Sequence, residues 1–179
     1  MQNLDGKKIL IMATNGFEEL ELTGPRDRLG EAGAQVHLAS PDRNPIQGRV
    51  KDEPTIMVTP DKLITEADVE DYDALVLPGG VINPDNLRTN EDAIALIKAF
   101  DEAEKPVAAI CHGPWLLAEA GVVKGKTVTS WPSIRTDLKN AGGEVVDKEA
   151  CVDGHLITSR NPDDVPAFCE AIAKAVSEA

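Results

Sequence analysis

Two rhythms of apolar residues alternate along the chain. Short apolar runs lie within Lys7–Ala13, Gln35–Ser40, Ala74–Leu77 and Val107–Ile110. Runs of this length and composition predict strands buried on both faces of a sheet. Between and after them, apolar residues recur at helical spacing. Such stretches cover about Glu18–Ala32, stopping at Gly33, then Glu91–Ala103, Pro114 to about Gly121, and about Val165–Val176. Within the first of these, Gly24-Pro25 predicts a kink or a restart. Residues 41–64 break the alternation with Pro41, Pro45, Gly48, Pro54 and Pro60 around β-like pieces such as Thr55–Val58. They predict a small hairpin on the sheet edge. Further on, Thr127–Ser130 reads as a strand, Ile134–Ala141 as a short helix, and Glu144–Ser159 as a hairpin turning at Asp153-Gly154. The whole is an α/β sandwich with a mainly parallel central sheet and helices on both faces, in one domain covering 1–179.

Composition narrows the partners. Against 18 basic residues stand 31 acidic ones, a net charge of −13, which argues against nucleic acid or an anionic membrane as the main partner. Such a surface also keeps a protein soluble. No apolar run is long enough for a membrane span, and Met1–Asp5 carries no signal-peptide pattern. Cys111, Cys151 and Cys169 are too widely spaced for a disulfide framework or a C-x-x-C zinc site. His37 and His155 lack ligand spacing, so neither a metal nor a cofactor is expected.

The chemistry concentrates in Lys105–Ala118. Cys111 follows the buried strand Val107–Ile110 and precedes a helix whose first residue is Pro114. Free backbone N–H groups and the positive helix end favour thiolate there. Gly113 allows a tight turn and close approach by a substrate. A lone cysteine is usually a small buried hydrophobe, but this strand–turn–helix context points to a nucleophile. A reactive thiol makes a reducing cytoplasm the expected compartment, with Cys151 and Cys169 as packing residues.

Sites in open parallel sheets form at the carboxyl ends of strands. Two other strand ends carry unusual residues, Thr14–Glu21 and Pro78-Gly79-Gly80. Glu18, Glu19 and Glu21 stand at a helix start, where compensation of the dipole accounts for acidic residues, and for Glu19 that reading is preferred. Glu18 has a second reading, a carboxyl with a raised pKa that hydrogen-bonds the sulfur. Gly79-Gly80 is either a positive-φ turn or, with the His112 amide, a source of N–H groups for a developing oxyanion. His112 is the candidate general base. Neighbouring residues point apart in regular structure, so a Cys111–His112 pair needs the sharp turn, and the imidazole needs an acid to orient it. Asp85 is one candidate for that acid, helix-start charge being its other reading. Trp131 before Pro132 reads as core filling or as pocket lining.

Ala109-Ile110-Cys111-His112-Gly113-Pro114, Leu75-Val76-Leu77-Pro78-Gly79-Gly80 and Asn15-Gly16-Phe17-Glu18-Glu19-Leu20-Glu21 together resemble the PfpI family. Its superfamily includes the Parkinsonism-associated deglycase and chaperone-type stress proteins. The resemblance continues through Thr129–Pro132, Asn140–Gly142, Val152–Gly154 and Thr158–Phe168, nearly the whole chain. It implies a flavodoxin-like three-layer sandwich with Cys111 on a nucleophile elbow, Glu18 hydrogen-bonded to its sulfur, and His112 as base. It also implies oxyanion-hole amides from Gly80 and His112. The acid orienting the histidine would come from a neighbouring subunit, at the position matched by Asp85, in a dimer or a trimer of dimers. Glutamate also occurs at that position in the family, and the loop here is one residue longer than in some members. The related glutamine amidotransferases need a downstream histidine and glutamate, which Arg160–Asp164 and His155 do not supply, so glutaminase activity is rejected.

Three activities then compete. The expected one is a cofactor-free enzyme of glyoxalase or protein-deglycase type, acting on a small aldehyde or a glycated protein through the Cys111 thiolate and His112. The second is a cysteine peptidase working through an acyl-enzyme. The third is a redox sensor or stress-protective protein in which Cys111 stops at sulfenic or sulfinic acid.

Overall fold

The structure is a computed structural model describing residues 1–179. Its first half runs β1 (Lys8–Met12), β2 (Phe17–Glu18), α1 (Glu19–Glu31), β3 (Gln35–Ser40), β4 (Ile46–Val50), β5 (Glu53–Val58), β6 (Lys62–Leu63), β7 (Ala74–Leu77) and α2 (Ile82–Leu87). The second half runs α3 (Glu91–Glu102), β8 (Val107–Ile110), α4 (Pro114–Ala120), β9 (Thr127–Val128), α5 (Arg135–Asn140), β10 (Glu144–Val145), β11 (Ala150–Asp153), β12 (Leu156–Ser159) and α6 (Val165–Glu178).

Seven strands form the central sheet in the order β11-β12-β8-β7-β1-β3-β6. Every neighbouring pair is parallel except β11–β12, which closes one edge antiparallel. Successive side chains in a strand point to opposite faces. Ile9, Ile11, Val76, Ala108 and Ile110 accordingly pack with Leu22 and Leu29 of α1 and with Phe168 and Ile172 of α6. Leu10, Met12, Leu75, Leu77, Val107 and Ala109 pack on the other face with Ile97 and Phe100 of α3 and Leu116 and Leu117 of α4. Two-sided burial is why these strands read as unbroken apolar runs. Each large side chain so buried contributes about 1.5–3 kcal/mol. This is the flavodoxin-like α/β fold.

Three details differ from the sequence expectation. First, α1 is continuous, with Pro25 inside it. Gly24 lies so close to α6 that a Cβ there would stand 2.6 Å from Val165 Cγ1. The burial of Gly24, Pro25, Leu22 and Leu29 outweighs the one backbone bond that proline removes. Second, the β4–β5 hairpin does not extend the central sheet, whose edge is β6. It pairs instead with β2, Phe17 opposite Gly48 and Glu18 opposite Arg49, making a separate three-stranded sheet. Third, only β11 and β12 form the late hairpin, with Asp153 opposite Leu156. Glu144 and Val145 pair in parallel with β9. No helix is long and apolar enough to cross a membrane.

Candidate active site

β8 ends at Ile110, and the next residue turns the chain abruptly. Cys111 has φ 63°, the left-handed region that non-glycine residues enter at a cost. Hydrogen bonds hold it there. Its N–H donates to the Ser159 carbonyl of β12 at 3.1 Å, its carbonyl accepts from the Trp131 N–H at 2.9 Å, and the Gly113 N–H closes back on the Ile110 carbonyl at 2.8 Å. Helix α4 starts directly afterwards. This turn does what adjacency alone does not: it brings Cys111 Sγ and His112 Nδ1 to 3.3 Å.

His112 is 7 % exposed. Trp115 meets it edge-on at 5.2 Å and Trp131 stacks on it at 6.0 Å between centroids. Burial pushes the His112 pKa below its ordinary value, which keeps the ring neutral and basic at neutral pH. Its second nitrogen, Nε2, lies 3.3 Å from Ser133 Oγ.

The acid beside the sulfur is not the expected one. Glu18 is half-buried, and its Oε2 accepts the Lys51 N–H at 3.2 Å. Glu21, one turn further along α1, is fully buried; its Oε2 accepts the Gly79 N–H at 2.8 Å, while Oε1 has no hydrogen-bond partner. The Glu21 carboxyl and the Cys111 thiol flank Gly79 and influence one another's proton affinity. Burial, which outweighs the amides of Gly79 and Gly80, pushes Glu21 up to about 8. β2 pairing turns Glu18 toward the hairpin, whereas Glu21 shares the buried face of α1 with Pro25 and Leu29.

Burial also pushes the Cys111 thiol well above its usual range, and a charged Glu21 pushes it in the same direction. The amides of His112 and Gly80 pull it down but do not prevail. Desolvation of Cys111, a residue 6 % exposed, is thus a larger effect on the thiol than the amides at the helix start.

Pro78-Gly79-Gly80 supplies the wall opposite. A Cβ on Gly79 would stand 2.5 Å from Glu21 Oε2 and 2.7 Å from Cys111 Cβ, so only glycine lets the three meet. Gly80 has φ 73°, and its amide lowers the proton affinity of both Glu21 and Cys111. Asn83 secures this turn from inside. It is fully buried, donates to the Pro78 and Gly79 carbonyls at 3.0 and 3.1 Å, and accepts the Thr14 N–H at 2.8 Å.

Cys111, His112, Glu21 and Gly80 border a cavity of about 690 Å³. The β4–β5 turn roofs it with Arg49, Val50, Lys51 and Asp52, and Leu20, Val81, Ile82 and Trp131 form an apolar rim. Trp131 is thus a wall of the cavity, 39 % exposed, and not core filling. Asp85 is exposed on α2 and makes no hydrogen bond to His112 within the chain. Cys151 and Cys169 are buried and free, and Cys169 belongs to the core beside α1. Glu21, Asn83, Ser133 and the hairpin roof are the parts of the site that sequence reasoning missed. Of these, only Glu21 has a local signal, its spacing from Pro25 and Leu29.

A thiol on a strand–helix elbow at the carboxyl edge of a parallel sheet, with a buried acid facing it, defines a thiol-centred flavodoxin-like protein. The chain belongs to the DJ-1/PfpI family, whose sequence profile matches residues 7–175. The deglycase TK1284 of Thermococcus kodakarensis is 46% identical over 167 residues, 93% of this chain and 98% of that protein. General stress protein 18 of Bacillus subtilis is 42% identical over 165 residues, 91% of this chain and 94% of its own length. Among solved structures, DJ-1beta of Drosophila melanogaster matches with a TM-score of 0.86 at 30% identity, covering 99% of this chain and 95% of that one.

Proposed function

We propose that this protein is a cofactor-free, cysteine-dependent enzyme that converts reactive carbonyl compounds into hydroxy acids. Its substrate classes are small 2-oxoaldehydes and early glycation adducts of proteins. The observation that carries this reading is the buried Cys111–His112 contact beside a protonated Glu21, on the floor of an open cavity. Relatives named deglycases support it.

With methylglyoxal as substrate, neutral His112 takes the thiol proton at Nδ1 as Cys111 Sγ bonds to the aldehyde carbon. The aldehyde oxygen becomes an oxyanion facing the amides of Gly80 and His112, and it is protonated to give a hemithioacetal. His112, neutral again, removes the hydrogen on that carbon as a proton. The resulting enediol is reprotonated at the adjacent carbon, leaving a thioester of the hydroxy acid on Cys111. Water then cleaves the thioester, releasing lactate and restoring the thiol. Net, one water is added, and no electrons enter or leave. Glu21 keeps its proton throughout and donates it as a hydrogen bond whenever the sulfur is anionic.

The test follows methylglyoxal loss and lactate formation with purified protein. The expected result is lactate production that falls by at least about a thousandfold in Cys111→Ala. Loss of methylglyoxal without lactate, or equal loss in the variant, would overturn the reading. Cysteine-dependent hydrolysis of unfolded protein would put a peptidase in its place. A reducing cytoplasm belongs to this proposal, supported by three free cysteines. So does a homo-oligomer, supported by Leu20, Val81 and Ile82, which are 48, 55 and 43 % exposed around the cavity mouth.

A further inference from the structure

We propose that Asn83 is a positioning residue for the oxyanion, holding the Gly79-Gly80 turn so that its amides face the side of the reacting sulfur. This rests on the oxyanion step of the reading above. In a planar trans peptide the C=O and N–H of one unit point in opposite directions. The Pro78 carbonyl shares its peptide unit with the Gly79 N–H, and the Gly79 carbonyl shares its unit with the Gly80 N–H. Asn83 Nδ2 donates to both carbonyls, at 3.0 and 3.1 Å. With the carbonyls pinned on that side, the two N–H groups are turned to the other. There the Gly79 N–H meets Glu21 Oε2 at 2.8 Å, and Gly80 lines the cavity beside Cys111. Successive amides aimed the same way form a concavity that suits an anion. The Gly79 amide is committed to Glu21, which leaves the Gly80 amide for the oxyanion.

Without such a clamp this turn would be the least determined part of the site. Two consecutive glycines admit several backbone conformations. A rotated Gly79–Gly80 peptide would present a carbonyl oxygen where the oxyanion forms. Larger residues cannot supply the missing rigidity, because a Cβ on Gly79 would stand 2.7 Å from Cys111 Cβ and one on Gly80 would collide with the Gly16 carbonyl. The restraint therefore has to come from a side chain elsewhere.

The carboxamide is itself held. Its Oδ1 accepts the Thr14 N–H at 2.8 Å, so its oxygen and nitrogen ends cannot exchange places without losing all three bonds. Asn83 is fully buried, and its contacts are internal to the fold. Thr14 follows β1 and Pro78 follows β7, so one side chain ties together two of the strand ends at which the site forms.

The test uses the intact protein and two substitutions that separate a donor from a space-filler. Leucine nearly reproduces the shape of asparagine without its polar ends, whereas alanine leaves room for a water that can donate to the same carbonyls. A residue that merely fills the core tolerates leucine better than alanine; one that supplies donors shows the reverse order. In lactate formation, kcat is expected to fall about a hundredfold in Asn83→Leu with KM within about twofold, and to fall less in Asn83→Ala. The second readout is the titration of Glu21, followed by the ¹³C shift of its side-chain carboxyl and assigned with Glu21→Gln. The Gly79 and Gly80 amides lower the proton affinity of Glu21, so releasing them should move its titration upward, by about half a pH unit or more. A site merely loosened and opened to water would move it downward. In wild type, which needs no substitution to fold, the Asn83 carboxamide protons should exchange slowly with solvent. Fast exchange of those protons would overturn the proposal. So would a Glu21 titration that stays in place or moves downward in Asn83→Leu, or an activity that survives leucine better than alanine. Exchange and titration need no turnover, so they decide on Asn83 even if the wild type were to form no lactate and the carbonyl reading failed.

Discussion

At neutral pH Glu21 retains a proton that an exposed glutamate would have released, because burial pushes it up to about 8. Between its ordinary value near 4.5 and that point, the unfolded chain loses the proton and the folded one keeps it. Stability attributable to this residue therefore falls as pH rises through that window, by about 5 kcal/mol in total at 1.36 kcal/mol per unit. Glu21→Gln removes this slope. Denaturant midpoints of wild type and variant should differ little near pH 4.5 and favour the variant by a few kcal/mol near pH 8. A variant no more stable than wild type at the alkaline end would mean that Glu21 is not held neutral. Activity should follow the same chemistry. It rises as His112, lowered by burial, loses its proton, and falls as Glu21 ionises around 8. A rate that keeps climbing above pH 9 would exclude the protonated carboxyl from the reaction. The register of α1 carries the information about this residue, since Pro25 and Leu29 follow Glu21 at one and two turns and all three are buried. Proximity to the preceding loop favours Glu18 instead, and only the β2 pairing shows that Glu18 faces the hairpin.

At the scale of elements, strands that are apolar on both faces were legible because both faces are covered, and so was Cys111 between one of them and a helix beginning with proline. Contacts between distant segments were not. Nothing in Ile46–Val58 announces that this hairpin will pair with Phe17 and Glu18 and roof the cavity, because the pairing joins residues some thirty positions apart and uses backbone groups common to every sequence. The Ser133–His112 contact likewise depends on a loop hydrogen-bonded to the nucleophile. The α1–α6 contact behaves in the same way, since Gly24-Pro25 looks like a breaker until Val165 is placed against it. Gly24→Ala puts a methyl 2.6 Å from Val165 Cγ1 and should cost about 1–3 kcal/mol by overpacking. Val165→Ala in the same chain should recover part of that loss. Additive destabilisation in the double variant would show that the two residues do not compete for space.

The whole molecule carries a net charge of −13, with most acidic groups on the surface. Self-repulsion of this size is screened by salt. Thermal midpoints at neutral pH should rise between very low and physiological ionic strength, and a fall would mean that local ion pairs such as those of Arg160 with Asp147 and Asp164 dominate. The order of strands in the sheet has a consequence in time. After β6, each strand that joins the central sheet, β7, then β8, then β12, docks on the side away from β3, outward from β1, with β11 beyond it. A chain emerging from a ribosome can extend its sheet nearly in the order in which it is made. The elbow bearing Cys111 is completed only when the Ser159 carbonyl arrives to accept its N–H. Nascent chains that stop before residue 159 thus display the sulfur without that hydrogen bond, and the geometry of the elbow is complete only with the last strand synthesised.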